Sequence, residues 1–258
     1  MENLRLTLIQ TELAWEDPQT NREHFSEKLK ALAGTTDLIL LPEMFTTGFS
    51  MDSAKMAEEK EGPTLRWLQE QAQKTKAALS GSVIVKEGKH YYNRLYFVTP
   101  SGNYKQYDKR HLFSYAGEDG SYTAGEKKLI VEYKGWRICP LICFDLRFPV
   151  WSRNTEDYDL LFYIANWPQE RIQSWDFLLQ ARSIENLCYT AGLNRIGQDP
   201  KAGAYNGHSA VYDALGNKIS ATNWEEEFTQ TIWLKGEHLA STRKKFRFLP
   251  ERDQFKIQ

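Results

Sequence analysis

Three reactive side chains each stand at the end of an apolar or strand-like run of residues: a carboxylate (Glu43), an ammonium group (Lys109) and a thiol (Cys143). In α/β proteins, functional sites gather outside the carboxyl ends of strands, so these side chains could meet at one edge of a sheet. A carboxylate can take the proton of a thiol, and an ammonium group can stabilise the anions that form. The set therefore predicts nucleophilic catalysis at a carbonyl carbon.

Each of these residues also has an ordinary structural explanation. Glu43 could end a strand at the surface, and Lys109, beside Arg110, could be one more solvated charge. Cys143 could be an inert buried cysteine, which is the commonest state of this residue. The catalytic interpretation depends on the coincidence of the three contexts.

Hydrophobic periodicity predicts strands and helices that alternate along the whole chain. The predicted strands are 4–8, 37–41, 82–85, 91–98, 104–107, 129–133, 136–142, 158–165, 189–196, 209–212 and 228–234. The predicted helices are 21–33, one that begins at Pro63 and carries an apolar stripe to Leu79, 172–188, and a short C-terminal helix.

Apolar runs such as 38–41 and 138–142 need cover on both faces, which two stacked sheets with helices outside would supply. No linker rich in Pro, Gly or Ser divides the chain. We therefore expect one α/β domain over 1–258 with mixed sheets, comprising a core of about 4–235 and a C-terminal helix and tail of about 236–258.

The sequence resembles the nitrilase superfamily of carbon–nitrogen hydrolases over essentially its whole length. The matching segments, in the order and spacing of that family, are Leu-Leu-Pro-Glu43-Met-Phe, Tyr-Asp-Lys109-Arg-His-Leu-Phe, Ile-Cys143-Phe-Asp-Leu-Arg-Phe-Pro and Ala165-Asn-Trp-Pro168, supported by Asn93-Arg94 and Ala181-Arg-Ser-Ile-Glu185-Asn. Within the family, the segments Gly135–Ile138, Phe148–Asn154 and Tyr158–Leu160 resemble the omega-amidase branch of the bacterial YafV type.

The resemblance implies a four-layer αββα sandwich and a homodimer formed through the helices near Cys143 and the helix at about 172–188. It implies that Glu43 is the general base, that Lys109 stabilises the oxyanion and that Cys143 is the nucleophile. The backbone N–H of Phe144 would join Lys109 in the oxyanion hole. Phe144 stands where tyrosine is commoner in the family, but the change leaves the backbone donor in place.

Further candidates for the site are less specific. Glu118 matches a second carboxylate of the family, and its alternative is an ordinary loop carboxylate. Trp167 and Asn166 follow a strand end and are candidates for the pocket wall, with core packing the alternative for Trp167. Arg147 and Tyr115 are further pocket candidates, although for Arg147 a structural ion pair or hydrogen bond is favoured over binding a substrate carboxylate.

Composition and motifs narrow the class of protein. The net charge is −1 and no strongly basic region is present, so we expect no nucleic-acid partner. The histidines show no metal-ligand spacing such as HExxH, so we expect no metal. The sequence contains neither a GxGxxG motif after a strand nor a P-loop, so we expect no nucleotide cofactor, and we expect no other cofactor. The absence of a signal-peptide pattern, of long apolar windows and of paired cysteine motifs predicts a cytoplasmic protein that does not enter a membrane.

The function expected from the resemblance is an omega-amidase. It would hydrolyse the terminal amide of a small 2-oxo acid amide, such as 2-oxoglutaramate or 2-oxosuccinamate, to the dicarboxylate and ammonia through a Cys thioester. Alternatives within the superfamily are another amidase, an N-carbamoyl hydrolase or a nitrilase. Alternatives of a different class are a Cys/His hydrolase, which would pair Cys143 with His111 or His208, and a non-catalytic binding protein.

Overall fold

The computed structural model describes residues 1–201, 203–221 and 225–256. The strands are β1 Leu4–Gln10, β2 Leu38–Leu40, β3 Glu58–Glu59, β4 Ala78–Glu87, β5 His90–Val98, β6 Tyr104–Asp108, β7 Val131–Tyr133, β8 Trp136–Ile142, β9 Leu160–Ala165, β10 Tyr189–Asn194, β11 Ile196–Asp199, β12 Gly203–Asn206, β13 Ala210–Tyr212 and β14 Phe228–Leu234. The helices are α1 Pro18–Lys30, α2 Ser53–Met56, α3 Pro63–Thr75, α4 Glu118–Ser121, α5 Pro149–Ser152, α6 Ile172–Asn186 and α7 Gly236–Phe246.

Two mixed sheets form the middle of the molecule. The first has the order β14-β1-β2-β4-β5-β6, with β3 paired to β4, and the second has the order β13-β10-β9-β8-β7. In the first sheet, β1, β2 and β4 are parallel neighbours, and β5 runs antiparallel to both β4 and β6. In the second, β8, β9 and β10 are parallel. Strand β6 therefore runs in the same direction as β2.

The alternation of side chains along β1 shows how the layers are built. Leu4, Leu6 and Leu8 belong to a large apolar cluster that also contains residues of the second sheet, so this face packs between the sheets. Ile9 belongs to a separate cluster with residues of α1 and α3, which cover the outer face of the first sheet. Helix α6 covers the outer face of the second sheet, where Gly192 leaves room for its side chains. The expected αββα sandwich with two mixed sheets in one domain is confirmed.

Two predicted helices differ from the structure at their ends. Helix α1 begins earlier than residue 21, at Pro18, because the Asp17 side chain accepts the Thr20 N–H and caps the first turn. It ends at Lys30, before residue 33. Helix α3 begins at Pro63 as predicted but ends at Thr75. The prediction that its apolar stripe extends to Leu79 was wrong, because Leu79 lies in β4.

The last part of the chain agrees with the sequence pattern in outline. The predicted strand 189–196 is divided into β10 and β11, and β11 forms a separate hairpin with β12. Helix α7 lies at the start of the predicted C-terminal segment 236–258, whose residues 257 and 258 lie outside the described part of the chain. Among the described residues, no helix combines the length and the apolar character needed to cross a membrane.

Candidate active site

The carboxyl ends of four strands meet where the two sheets face each other. Lys109 directly follows β6 and Glu43 lies three residues after β2, both in the first sheet. Cys143 directly follows β8 and Asn166 directly follows β9, both in the second sheet. The structure therefore brings the three sequence-predicted reactive residues to one place, with each sheet contributing part of the set.

Lys109 lies between two carboxylates in a cluster that is closed to solvent. Its Nζ is 2.9 Å from Glu43 Oε1 and 2.9 Å from Glu118 Oε2, and all three side chains are fully buried. Glu118 Oε2 also accepts the backbone N–H of Phe113 at 2.6 Å, which fixes the loop that carries Glu118. Glu118 is thus a direct partner of Lys109 and not an ordinary loop carboxylate.

Two asparagines hold the Glu43 carboxylate from different sheets. Asn93 of β5 donates its Nδ2 hydrogen to Glu43 Oε1 at 2.8 Å. Asn166 donates its backbone N–H to Glu43 Oε2 at 2.8 Å and its Nδ2 hydrogen to the Glu43 carbonyl oxygen at 2.7 Å. Glu43 is therefore fixed in position, and its hydrogen bonds tie the first sheet to the second.

The electrostatics of the cluster keep the Cys143 thiol protonated. Burial, reinforced by the charge of Glu43, raises the pKa of the Cys143 thiol well above its usual value. Burial alone would lower the pKa of Lys109, but the carboxylates of Glu118 and Glu43 raise it, so Lys109 stays charged. Burial raises the pKa of Glu118 against the opposing effect of Lys109. A neutral thiol beside a buried carboxylate needs a base to become a nucleophile.

Cys143 is the first residue of a 3₁₀ segment, Cys143–Arg147, and stands at the sharp turn where β8 ends. Its φ of 42° lies in the left-handed region, which is strained for a residue with a side chain. Asp145 supports this turn, because its Oδ2 accepts the Ile142 N–H at 3.1 Å and the Tyr107 hydroxyl at 2.7 Å. Its Oδ1 accepts the His111 N–H at 3.0 Å. Asp145 thus links the turn at Cys143 to the chain on both sides of Lys109.

His111 does not contact Cys143 as a catalytic histidine would. Its Nδ1 lies 2.8 Å from Asp145 Oδ1, and its ring stacks on Phe148 with the centroids 3.6 Å apart. His208 lies 2.9 Å from Asp176 through its Nδ1. These contacts give both histidines structural partners and do not favour the Cys/His alternative.

A small pocket opens above the thiol, and the empty space in it, together with its open mouth, is about 450 Å³. Cys143 is 8% exposed, whereas the charged cluster behind it is closed to solvent. The aromatic residues that line the pocket are Phe49, Phe113, Phe144, Trp167 and Tyr205. We call Glu43, Lys109, Glu118 and Cys143 the pocket base, and Phe113, Arg147, Trp167 and Arg171 the pocket rim.

Most of the pocket residues predicted from the sequence line the pocket, but Tyr115 does not. Asn166, Trp167 and Arg147 line the pocket, and so does Phe144. Tyr115 is not among the lining residues that the structure describes, and the expectation for it was wrong. Its side chain is 87% exposed because the 3₁₀ segment Ser114–Ala116 turns it outward, while Phe113 points inward.

Sequence reasoning missed other residues of the site. Asn93 is quoted above only as part of a family match, whereas the structure shows that its side chain on β5 donates a hydrogen bond to Glu43. Arg171 lines the pocket although its segment, Gln169–Arg171, has the composition of a solvated turn. No local signal in the sequence distinguishes Arg171 from other surface arginines. Among the described residues, no group of His, Cys, Asp or Glu side chains is arranged to hold a metal ion.

Comparison with known proteins agrees with this geometry. The sequence pattern of the family described as carbon–nitrogen hydrolase matches residues 5–244. The chain is 44% identical over 255 residues to the omega-amidase YafV of Yersinia enterocolitica, covering 99% of both chains. It is 33% identical over 229 residues to the 2-oxoglutaramate amidase of Bacillus subtilis (strain 168), covering 86% of this chain and 87% of that one.

The fold has a close counterpart among solved structures. A CN-hydrolase superfamily protein from Xanthomonas campestris, solved with an arsenic adduct in its active site, superposes with a TM-score of 0.98. The two chains are 42% identical, and the match covers 100% of each. On the pattern match and the full-length similarity together, this chain belongs to the carbon–nitrogen hydrolase family.

Proposed function

We propose that this protein is an omega-amidase that hydrolyses the terminal amide of a small 2-oxo acid amide to the dicarboxylate and ammonia. The observation that carries the proposal is the single accessible thiol of the pocket base, Cys143, facing the buried Glu43–Lys109 pair. Similarity over the full chain to an omega-amidase, and over most of it to a 2-oxoglutaramate amidase, supports the substrate class.

In the first half-reaction, Cys143 attacks the amide carbon while Glu43 takes the thiol proton. The negative charge that develops on the carbonyl oxygen is stabilised by Lys109 Nζ and by the backbone N–H of Phe144. A positioned donor of this kind is typically worth about 3 kcal/mol in the transition state. Glu43 then protonates the departing nitrogen, ammonia leaves, and the acyl group stays on the sulfur as a thioester.

In the second half-reaction, Glu43 activates a water molecule that attacks the thioester. The same donors hold the second oxyanion, and the thiol is restored when the acid leaves. One carboxylate can serve both steps because its hydrogen bonds to Asn93 and Asn166 hold it in one position while its proton comes and goes. Glu118 positions Lys109 and balances its charge.

The substrate class is tested by measuring ammonia release from 2-oxoglutaramate, 2-oxosuccinamate, glutamine, asparagine, aliphatic nitriles and N-carbamoyl amino acids. We expect the highest kcat/KM for the two 2-oxo acid amides. Faster turnover of free glutamine, of a nitrile or of an N-carbamoyl amino acid would contradict the proposal and favour another activity of the superfamily.

We further propose that the enzyme is a homodimer that uses α6. The exposed residues of this helix, Gln173, Phe177, Gln180 and Ile184, form one stripe without any charge. Solvated helix faces usually carry charged residues, whereas the centres of interfaces contain few of them.

In light scattering at micromolar concentration, we expect a dimer that Phe177→Glu converts to a monomer. Trp233→Glu, a change of another exposed aromatic, should leave the dimer intact, and a monomeric wild type would refute the proposal.

We also propose that the enzyme acts in the cytoplasm on small molecules, without a nucleic-acid partner. Its mechanism needs a reduced Cys143, and the cysteines of the chain, Cys139, Cys143 and Cys188, are all free. A reducing compartment keeps such thiols available. Fractionation that placed the enzyme outside the cytoplasm would contradict this.

A further inference from the structure

We propose that Arg171, assisted by Arg147, forms the subsite that binds the carboxylate end of the substrate and selects 2-oxo acids over amino acids. The inference rests on the proposed amidase function, because it places the second end of the same substrate. It concerns the pocket rim, which takes no part in the chemical steps described above.

Formal charge is distributed unevenly between the base and the rim. Among the described residues that line the pocket, the charged ones are Arg147 and Arg171, and none is acidic. Behind the thiol, the pocket base contains two carboxylates, Glu43 and Glu118, with one ammonium group between them. A substrate with a neutral amide and a carboxylate therefore binds with its amide at the base and its carboxylate at the rim.

The guanidinium of Arg171 is available for an anion. It lies over the ring of Phe113 at 4.9 Å from the centroid. Among the described residues, its side chain forms no hydrogen bond or ion pair. A guanidinium that lies over an aromatic ring and has no other partner keeps its N–H groups available, and two of them can bind one carboxylate together.

The backbone of Arg171 is held firmly, so that the side chain starts from a fixed point. Its carbonyl oxygen accepts the Trp167 Nε1 hydrogen at 2.9 Å and the Ser174 hydroxyl at 2.7 Å. Both donors belong to the structure around the pocket, since Trp167 is itself a lining residue. Such anchoring reduces the entropy lost when a ligand is bound.

Arg147 is the assisting group because part of its guanidinium is already engaged. It lies over the Trp167 ring at 5.2 Å from the centroid and donates from Nη2 to the Ser174 hydroxyl at 2.9 Å. Ser174 thus connects the two arginines, and no carboxylate of the described residues pairs with either. Of the structural ion pair or hydrogen bond favoured from the sequence for Arg147, the hydrogen bond to Ser174 is present, and no ion pair is found among the described residues.

A third arginine near the pocket, Arg195, does not fit this role. Its side chain is fully buried, and its guanidinium lies over the Tyr205 ring at 4.7 Å from the centroid. Its Nε hydrogen is donated to the Ile196 carbonyl oxygen at 3.0 Å. It lies beneath the pocket wall, where a substrate could reach it only if the fold opened.

The charge of the rim also explains a preference between two amides of equal length. Glutamine carries an α-ammonium group where 2-oxoglutaramate carries a keto oxygen. Beside two guanidinium groups, and with no acidic lining residue among those described, that ammonium is repelled and unpaired. The keto oxygen, by contrast, can accept a hydrogen bond from the same N–H groups.

The test compares Arg171→Gln with wild type on 2-oxoglutaramate and on pentanamide, a neutral amide of the same chain length. We expect the KM for 2-oxoglutaramate to rise at least about tenfold, equivalent to ~1.4 kcal/mol, while kcat changes by less than about threefold. Turnover of pentanamide should be unchanged, and the preference over glutamine should fall. Arg171→Lys should recover part of the KM, and Arg66→Gln, on the exposed face of α3, should change nothing.

Equal loss of kcat/KM for both amides, or an unchanged KM for 2-oxoglutaramate, would overturn the subsite. A second measurement separates this failure from failure of the proposed function: protection of the Cys143 thiol from iodoacetamide by 2-oxoglutarate. Protection that needs at least about tenfold more 2-oxoglutarate in Arg171→Gln supports the subsite even if no 2-oxo acid amide is turned over. Equal protection of both proteins refutes the subsite even if 2-oxoglutaramate is the substrate.

Discussion

The pocket base and the pocket rim differ in how their charges are partnered. At the base, Lys109 and both carboxylates are buried and joined by ion pairs, and Asn93 and Asn166 hold Glu43 in addition. At the rim, the two guanidinium groups lie over aromatic rings without a carboxylate partner among the described residues. The base is organised for reaction before a substrate arrives, whereas the rim keeps its charge available for the ligand. Changes at the base should therefore lower kcat, and changes at the rim should raise KM.

The largest effect is expected at the thiol of the base. Cys143→Ala should abolish turnover, because the covalent intermediate cannot form, and should preserve the fold because it removes one sulfur atom. The measurement is ammonia release together with mass spectrometry of trapped enzyme, which should find the acyl adduct on Cys143 in wild type. Cys139→Ala and Cys188→Ala are the controls, since both residues are fully buried away from the pocket. An adduct on either would refute the assignment.

Glu43→Gln should come next, with a loss of kcat at or beyond the upper end of the ~10²–10⁴-fold range typical of acid–base catalysis. The amide cannot exchange the proton that both half-reactions need, although it keeps nearly the same shape. Single-turnover kinetics should show slow acylation and slow deacylation. A variant that acylates at the normal rate would show that another group takes the thiol proton.

Lys109→Met should lower kcat by at least ~10²–10³-fold, because one oxyanion donor is lost. It should also destabilise the fold, because Glu43 and Glu118 lose their buried counterion; breaking such a pair typically costs about 3–5 kcal/mol. The double variant Lys109→Met, Glu118→Gln removes one of the stranded charges. It should recover much of the free energy of unfolding without recovering activity, and recovery of activity would contradict the role of Lys109.

Asp145→Asn tests the support of the base with a smaller expected effect. The change removes an acceptor from two of the hydrogen bonds that hold the turn at Cys143 and the residues beside Lys109. Each buried donor left without a partner typically lowers the free energy of unfolding by about 1–3 kcal/mol. We expect roughly a tenfold loss of kcat with little change in KM, since the groups that react remain but are less well held. A rise in KM without a loss of kcat would instead show that Asp145 supports substrate binding at the pocket rim.

The smallest effect should follow a change just outside the rim. Tyr115→Ala removes a side chain that is 87% exposed and should change kcat/KM by less than about twofold. Phe113→Ala, two residues earlier, removes the ring on which Arg171 lies and should raise the KM for 2-oxoglutaramate. Similar losses in both variants would mean that the loop closes over the substrate as a whole.

Sequence reasoning reached the base more fully than the rim, for a physical reason. Glu43 and Lys109 follow strands of the first sheet that run in the same direction, and Cys143 follows a strand of the second. Because sites gather at the carboxyl ends of strands, the sequence pattern indicated that the three side chains could meet. Arg171 and Tyr115 lie in short 3₁₀ turns, where no periodicity says which side chain points inward. The end of α3 was also mispredicted, because the apolar pattern continues to Leu79. The helix ends where Lys76 adopts the left-handed conformation, and the hydrophobic pattern of the sequence does not reveal such a backbone change.

The hydrogen bonds that Asn166, at the end of a strand in one sheet, donates to Glu43, which follows a strand of the other, have a consequence for how the enzyme loses activity. The base and the ammonium group belong to one sheet and the nucleophile to the other, so the reacting set exists only while the sheets keep their mutual register. A partly unfolded molecule that retains only one sheet lacks part of the reacting set and should have no activity. We therefore expect activity and the native fold to be lost together in one cooperative event when the enzyme is heated.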